Sequence, residues 1–193
     1  MNKILLLAAI VFLFSCGHKK YDNPHVLINT NMGDIEVELF PGQAPITTAT
    51  FLSYVDSGLY KNGSFYRVLK NEGMAPEYNS GLIQGGIWKT NNAKVSGLPG
   101  IAHESTAQTG LSHTTGTISL ARTTPGSASS EFFICIGNQI QFDKSTTVNS
   151  DGLGFAAFGK VFRGMEVVRK IQSQRSQGEA FDEQIKIVNI ERL

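Results

Sequence analysis

Cysteine and histidine are scarce in this chain. Two cysteines in 193 residues are too few for a disulfide framework. His18, His25, His103 and His113 lie without ligand spacing from one another or from the cysteines, so neither a metal site nor a cofactor is expected. The nearest approach to a zinc-protease motif, "HES" from His103, has Ala107 where the second histidine belongs. Charge of one sign is missing as well. Seventeen basic against 16 acidic residues leave a net charge of +1, without the basic excess of a nucleic-acid binder. The glycine-containing stretches "GNQIQF" and "NSDGLGFAAFG" lack the Lys and Ser/Thr that complete a phosphate loop. The apolar run "ILLLAAIVFLF" is about half of the ~20 residues a membrane-spanning helix requires.

What is present suits one compact domain: 41% hydrophobic residues, 17% charged residues and 20 glycines for tight turns. A body of this size buries roughly 70% of its unfolded surface, enough for a core without disulfides. Lys3, the apolar run and the small Ser15 read as a signal peptide over residues 1–15. "LFSC" resembles a bacterial lipobox, with Leu13 and Ser15 ahead of a cysteine that is lipidated and becomes the N-terminus. On this reading Cys16 carries the lipid, residues 16–24 form a short polar tether, and the folded domain occupies residues 25–193 at a membrane of a bacterial cell envelope. A plain secretory signal cut near Ser15 or Gly17 and a Cys16–Cys135 disulfide are the alternatives. Cys135, within "FFICIG", is most simply a small core residue.

The folded part opens with two alternating apolar runs separated by "NTNMGD", whose Asn31 and Gly33 suit a hairpin turn. "APITTATFLSYVDSGLY" spaces Ile46, Ala49, Phe51, Leu52 and Val55 for a helix, with Pro45 early and Gly58 just past the end. Strand-like runs follow at "SFYRVL", "GLIQGGIW", "GTISLAR", "EFFICIG", "FAAFGKVF" and "QIKIVNIERL", and a second helix at "GMEVVRKIQSQ". Many short strands, two helices and no strand–helix alternation predict a mainly β fold, an antiparallel sheet closed into a barrel so that no edge is exposed. Residues 90–115 form the longest irregular stretch, which a compact domain wraps against its body or uses.

One charge sits oddly. In "GSFYRVLK" an arginine, Arg67, interrupts an apolar and aromatic strand; with a period of two it shares a face with Phe65 and Leu69, opposite Tyr66 and Val68. Taken alone, Arg67 reads as a strand arginine lying on the exterior with its stem over apolar neighbours.

"FYRV", "IQGG", "GTISLAR", "EFFICIG" and "FGKVFRGMEVV" together, in this order from about Val26 to the C-terminus, resemble the cyclophilin family of peptidyl-prolyl isomerases. The resemblance implies a closed eight-stranded antiparallel β-barrel capped by two α-helices. It implies a monomeric isomerase of X–Pro bonds that binds proline-containing, extended polypeptides. For an exported chain, the clients are exported proteins that need help in folding. It also implies roles by position. Arg67 is the catalytic arginine; Leu82, Phe133 and Phe142 line a proline pocket; Gln84 hydrogen-bonds the substrate backbone; Ala121 and the backbone of Arg122 pair with the peptide. Glu131 and Phe155 complete the substrate contacts, where the family usually has glutamine and often histidine. Glu131 is thereby expected to bring a carboxylate near Arg67. Gln141 replaces a frequent tryptophan and Gly81 a usually aromatic residue. The segment "LKNEGMAPEYNSGL" is long for the family and is read either as an additional loop bordering the groove or as a surface insertion without function. Two other readings stay open: a catalytically weak chaperone module that holds proline-containing segments, and an envelope lipoprotein whose barrel is only scaffold.

Overall fold

A computed structural model of the chain describes residues 21–75, 77–145 and 151–193. The signal segment and Cys16 lie outside the described residues. In chain order the elements are β1 (His25–Thr30), β2 (Gly33–Leu39), α1 (Pro45–Asp56), β3 (Gly63–Leu69), β4 (Gly81–Gly86), α2 (Asn92–Val95), α3 (Thr106–Thr109), β5 (Thr117–Leu120), β6 (Phe132–Ile136), β7 (Ala156–Arg163), α4 (Met165–Gln172), β8 (Ser176–Gln177) and β9 (Ala180–Arg192). A 3-10 turn, Ile140–Phe142, precedes β7.

Antiparallel pairing runs β1-β2-β7-β5-β6-β4-β3-β9, and β9 returns to pair with β1. That closes the predicted eight-stranded barrel. β8 is a two-residue strand on the edge of β9. In the opening hairpin Ile28 faces Ile35 and Val26 faces Val37, so the alternating apolar residues of both strands meet inside.

The two longer helices close opposite ends of the barrel. β2 starts at Gly33 against Val167 of α4 and ends at Leu39, from which the chain turns into α1. Phe51 of α1 packs its ring against Tyr60, Phe132 and Phe158, while Val168 and Ile171 of α4 enter the same core from the other end. The buried stripe of α1 is Thr47, Thr48, Phe51, Leu52, Tyr54 and Val55; Ile46 and Ala49 fall outside it and are exposed. Ala44 at the N-cap offers no side-chain acceptor. Glu104, from the irregular stretch, takes that role: its carboxylate accepts from Ile46 N at 3.1 Å and Thr47 N at 2.7 Å, satisfying amides a helix start otherwise leaves unpaired. The stretch around residues 90–115 thus wraps the body, and its helices α2 and α3 are single turns.

β6 separates two apolar clusters by simple alternation. Phe132, Ile134 and Ile136 enter the barrel core, whereas Phe133 and Cys135 face outward into a second cluster with Leu82 and Phe142. Cys135 is a free buried thiol whose pKa burial raises well above the usual range, so it is unreactive.

Candidate active site

Strict alternation along β3 fails at the functional position. Phe65 pairs with Gly85 and Arg67 with the next residue, Gln84, so Tyr66 is an extra residue in a β-bulge. Against β9 the register jumps from Phe65–Ile185 to Arg67–Ala180. The consequence is that Phe65 and Val68 both point into the barrel, while Tyr66, Arg67 and Leu69 line a groove outside it. Arg67 therefore does not share a face with Phe65, as the period of two predicted. The bulge is what brings Tyr66 and Arg67 together.

The groove encloses about 520 Å³. Arg67, Leu82, Gln84, Ala121, Arg122, Glu131, Phe133, Phe142 and Phe155 all line it, joined by Tyr66, Trp88 and Val95 among others. Its floor is aromatic: Phe133, Phe142 and Phe155 meet edge to face with centroids 5.3 to 5.5 Å apart. Beneath the floor, fully buried His113 stacks on Phe133 at 5.8 Å and 16°. Its Nδ1 lies 2.6 Å from Asp143 and its Nε2 3.0 Å from Ser119. Burial lowers the His113 pKa, against the pull of Asp143.

At the rim, Arg67 Nε and Nη2 lie 2.8 Å from Oε2 of Glu179, and Nη1 donates to Gln84 Oε1 at 2.7 Å. The Arg67 side chain is 39% exposed, so the guanidinium is held yet reachable. The carboxylate on Arg67 is thus that of Glu179, not Glu131 as the sequence suggested. Glu131 turns inward, where Ile87 N, Trp88 N and Ser130 Oγ donate to its Oε1 at 2.9 to 3.0 Å and Tyr66 donates to its Oε2 at 2.8 Å. Burial raises the Glu131 pKa, and these hydrogen bonds offset part of the effect. Burial beside that carboxylate raises Tyr66 as well. "IQGG" supplies the room: a Cβ on Gly86, where φ is +150°, would fall 2.4 Å from a Glu131 oxygen.

Arg122 turns its side chain away from solvent. The guanidinium grips Asp151 with two bonds of 2.7 and 2.9 Å, donates to Gly154 O, and lies 5.6 Å from the Phe155 ring. The hydrogen bonds from Arg122, with one from the Leu153 amide, pull the Asp151 pKa down to about 2. This clamp fixes the strand entry that carries Phe155. The Ala121 N–H is taken by Glu131 O at 2.8 Å. Gln141 bonds Gln139, and neither it nor Gly81 lines the groove.

The described residues of the long β3–β4 loop do not border this groove. Leu69 pairs with Leu82, so the hairpin carries the loop past the groove, and Asn71 and Asn79 close it on itself with bonds of 2.8 and 2.9 Å. Gln172 of α4 ties its base at Leu69 O and Ser80 O. The loop borders a separate polar cavity of about 490 Å³ beside the end of α4. Sequence reasoning missed Glu179, Tyr66, Trp88 and the His113–Asp143 pair. Only Tyr66 carried a signal, its place beside Arg67.

The site is thus an aromatic trough with an arginine–glutamine pair on its wall, on the outside of a closed barrel with two end helices. Residues 25–192 match the family described as cyclophilin type peptidyl-prolyl cis-trans isomerase/CLD, and the chain belongs to that family. It is similar to the peptidyl-prolyl cis-trans isomerase of Acinetobacter baylyi, with 39% identity over 77% of this chain and 72% of that protein. It is also similar to peptidyl-prolyl cis-trans isomerase A of Dickeya dadantii, with 34% identity over 92% and 88%. A solved Cryptosporidium parvum cyclophilin type peptidyl-prolyl cis-trans isomerase shares the fold at TM-score 0.68 and 25% identity, covering 88% of this chain and 97% of that one. A second structure of it, obtained in the presence of the dipeptide Ala-Pro, gives TM-score 0.67. This chain is a peptidyl-prolyl cis-trans isomerase.

Proposed function

We propose that Arg67 is the catalytic donor of this isomerase and that its substrates are X–Pro bonds of exported polypeptides at a bacterial cell envelope. An X–Pro bond resists rotation by ~18–20 kcal/mol because the nitrogen lone pair is delocalised into the carbonyl. In the twisted transition state that pair is localised on nitrogen, so a donor aimed there stabilises the transition state more than the ground state. With Nε and Nη2 on Glu179 and one Nη1 hydrogen on Gln84, the guanidinium keeps one hydrogen on each terminal nitrogen for the prolyl nitrogen.

Phe133, Leu82 and Phe142 hold the proline ring while the carbonyl end turns, with Phe155 as the remaining wall. Gln84, whose Nε2 uses one hydrogen on Tyr66, offers the other to the substrate backbone. The Arg122 backbone and Ala121 flank the extended peptide, and Glu131 acts from beneath Tyr66. The observation that carries this reading is the half-exposed Arg67, oriented by Gln84 directly beside the aromatic floor. Isomerisation of a short Ala-Pro peptide by the full chain tests it, with Arg67→Ala as the comparison.

For the envelope, the support is the charged start, the apolar run, Ser15 and Cys16. The chain then works as a monomer tethered by a lipid on Cys16. Wild-type protein is expected to incorporate a labelled fatty acid and to partition with membranes, and Cys16→Ala to do neither. Equal partitioning of both forms, with no lipid on the wild type, overturns the anchor.

A further inference from the structure

Four side chains of the site form one hydrogen-bond chain with a direction. Arg67 Nη1 donates to Gln84 Oε1 at 2.7 Å, Gln84 Nε2 donates to the Tyr66 hydroxyl at 2.9 Å, and Tyr66 donates to Glu131 Oε2 at 2.8 Å. The amide of Gln84 has a donor end and an acceptor end, and the Tyr66 hydroxyl has one hydrogen to give. Each link therefore points one way only because the next one does. We infer that Glu131 sets the polarity of this chain and is a positioning residue for Arg67.

The reason lies in what surrounds the carboxylate. All four of its neighbours, Ile87 N–H, Trp88 N–H, the Ser130 hydroxyl and the Tyr66 hydroxyl, are donors. The two backbone amides cannot turn. Oε1 must accept from them whatever else changes, and in the ionised carboxylate, which has no hydrogen to give, Oε2 accepts from Tyr66. With its single hydrogen committed to Glu131, Tyr66 can only accept from Gln84. Gln84 must then present Nε2 to Tyr66 and Oε1 to the guanidinium.

Replace the carboxylate by an amide of the same shape and the logic reverses. The backbone amides still require oxygen at Oε1, so a nitrogen faces Tyr66 and donates to it. The Tyr66 hydrogen is then free to swing toward Gln84, and when the Gln84 amide turns its oxygen to receive it, Gln84 Nε2 faces Arg67 Nη1, donor against donor. Arg67 loses the contact that points it over the groove floor. Glutamine, the residue the family usually carries here, is thus the wrong residue in this chain, because Tyr66 is its neighbour. The Glu131–Arg67 dependence rests on the reading of Arg67 as the catalytic donor.

The test is a double-mutant cycle on the full chain, with isomerisation of an Ala-Pro peptide followed by NMR exchange and thermal melts in parallel. Glu131→Gln is expected to lower kcat by about tenfold, the loss of one well-placed hydrogen bond, with KM changed less than about twofold. Tyr66→Phe, which cuts the chain at its middle link while residue 131 stays a carboxylate, should lower kcat to a similar extent. In an Arg67→Ala background, Glu131→Gln should add no further loss, since it acts through Arg67. Unchanged kcat in a folded Glu131→Gln protein overturns the polarity inference, and so does an equal loss with and without Arg67, which would mark a merely structural role. Full activity of Arg67→Ala overturns instead the catalytic reading beneath it, so the two failures are told apart. Should Glu131→Gln not fold, Tyr66→Phe alone carries the cycle, and full additivity with Arg67→Ala then counts against the inference.

Discussion

Phe132 and Phe133 are neighbours on β6, almost equally buried, and they belong to different parts of the molecule. Phe132 meets Phe51, Tyr60 and Phe65 inside the barrel; Phe133 meets Phe142, Phe155 and His113 outside it, beneath the groove. One side of a single strand is the fold and the other is the site. The two sides also differ in polarity. The inner cluster is apolar apart from the buried hydroxyls of Tyr54 and Tyr60, whereas the outer one is bounded by Arg67, Gln84, Glu131 and Arg122, each held by hydrogen bonds. Burial by itself does not say which side chain is functional; the polar partners at the edge of each cluster do.

The largest effect that would sharpen this contrast is expected from Phe132→Ala, which opens a cavity in the closed core and should lower stability by about 3–5 kcal/mol. Chemical denaturation measures it. Phe133→Ala should cost less, near the lower end of that range, because the vacated space opens on the groove, and it should raise KM for an Ala-Pro peptide where a weakened Phe132 variant that still folds does not. Equal effects of the two substitutions on KM would erase the distinction between the faces.

A smaller effect concerns pH. His113 has a folded pKa below its ordinary value of 6.5, with burial as the first cause, so the native state holds a proton less readily than the unfolded chain. Its contribution to stability is present above pH ~6.5 and is lost as pH falls through the depressed folded value. The melting temperature should drop on acidification across that range, and His113→Phe should flatten the drop. Glu131, with a raised folded pKa, acts in the opposite sense: its contribution is fully present below the ordinary glutamate value and is lost as pH rises through the folded one. The smallest effect is expected from replacing residues 74–80 by a short turn. That loop borders the polar cavity rather than the groove, and a melting temperature changed by only a few degrees, with activity retained, would place it outside both faces.

Much of the fold was legible in the sequence. "NTNMGD" between alternating runs, Pro45 and Gly58 around a helical period, and strand-like segments bounded by turn residues are local signals, and the hairpin, α1 and the barrel follow from them. The nine groove residues were nameable only through the family's motifs, since nothing in the spacing of Arg67, Ala121 and Phe155 says they meet. The Tyr66 bulge was not legible, because alternation assumes an unbroken ladder and the register shift is imposed by two neighbouring strands. Glu179 was invisible for a different reason: it stands 112 residues from Arg67 in the turn before β9, and only closure of the barrel brings them together. Glu104, set aside as a failed zinc motif, proved to be the cap of α1.

The most direct measurement compares wild type, Arg67→Ala and Arg67→Lys side by side on one Ala-Pro peptide, with a melt of each protein. Arg67→Ala should lower kcat/KM by on the order of 10²-fold or more, as the loss of a preorganised transition-state donor does, while the protein stays folded because a rim arginine contributes little packing. Arg67→Lys keeps the charge without the planar fork of donors and should recover only a small part of the loss. Turnover equal to wild type in a folded Arg67→Ala protein would contradict the assignment of Arg67 as the group that acts on the prolyl nitrogen.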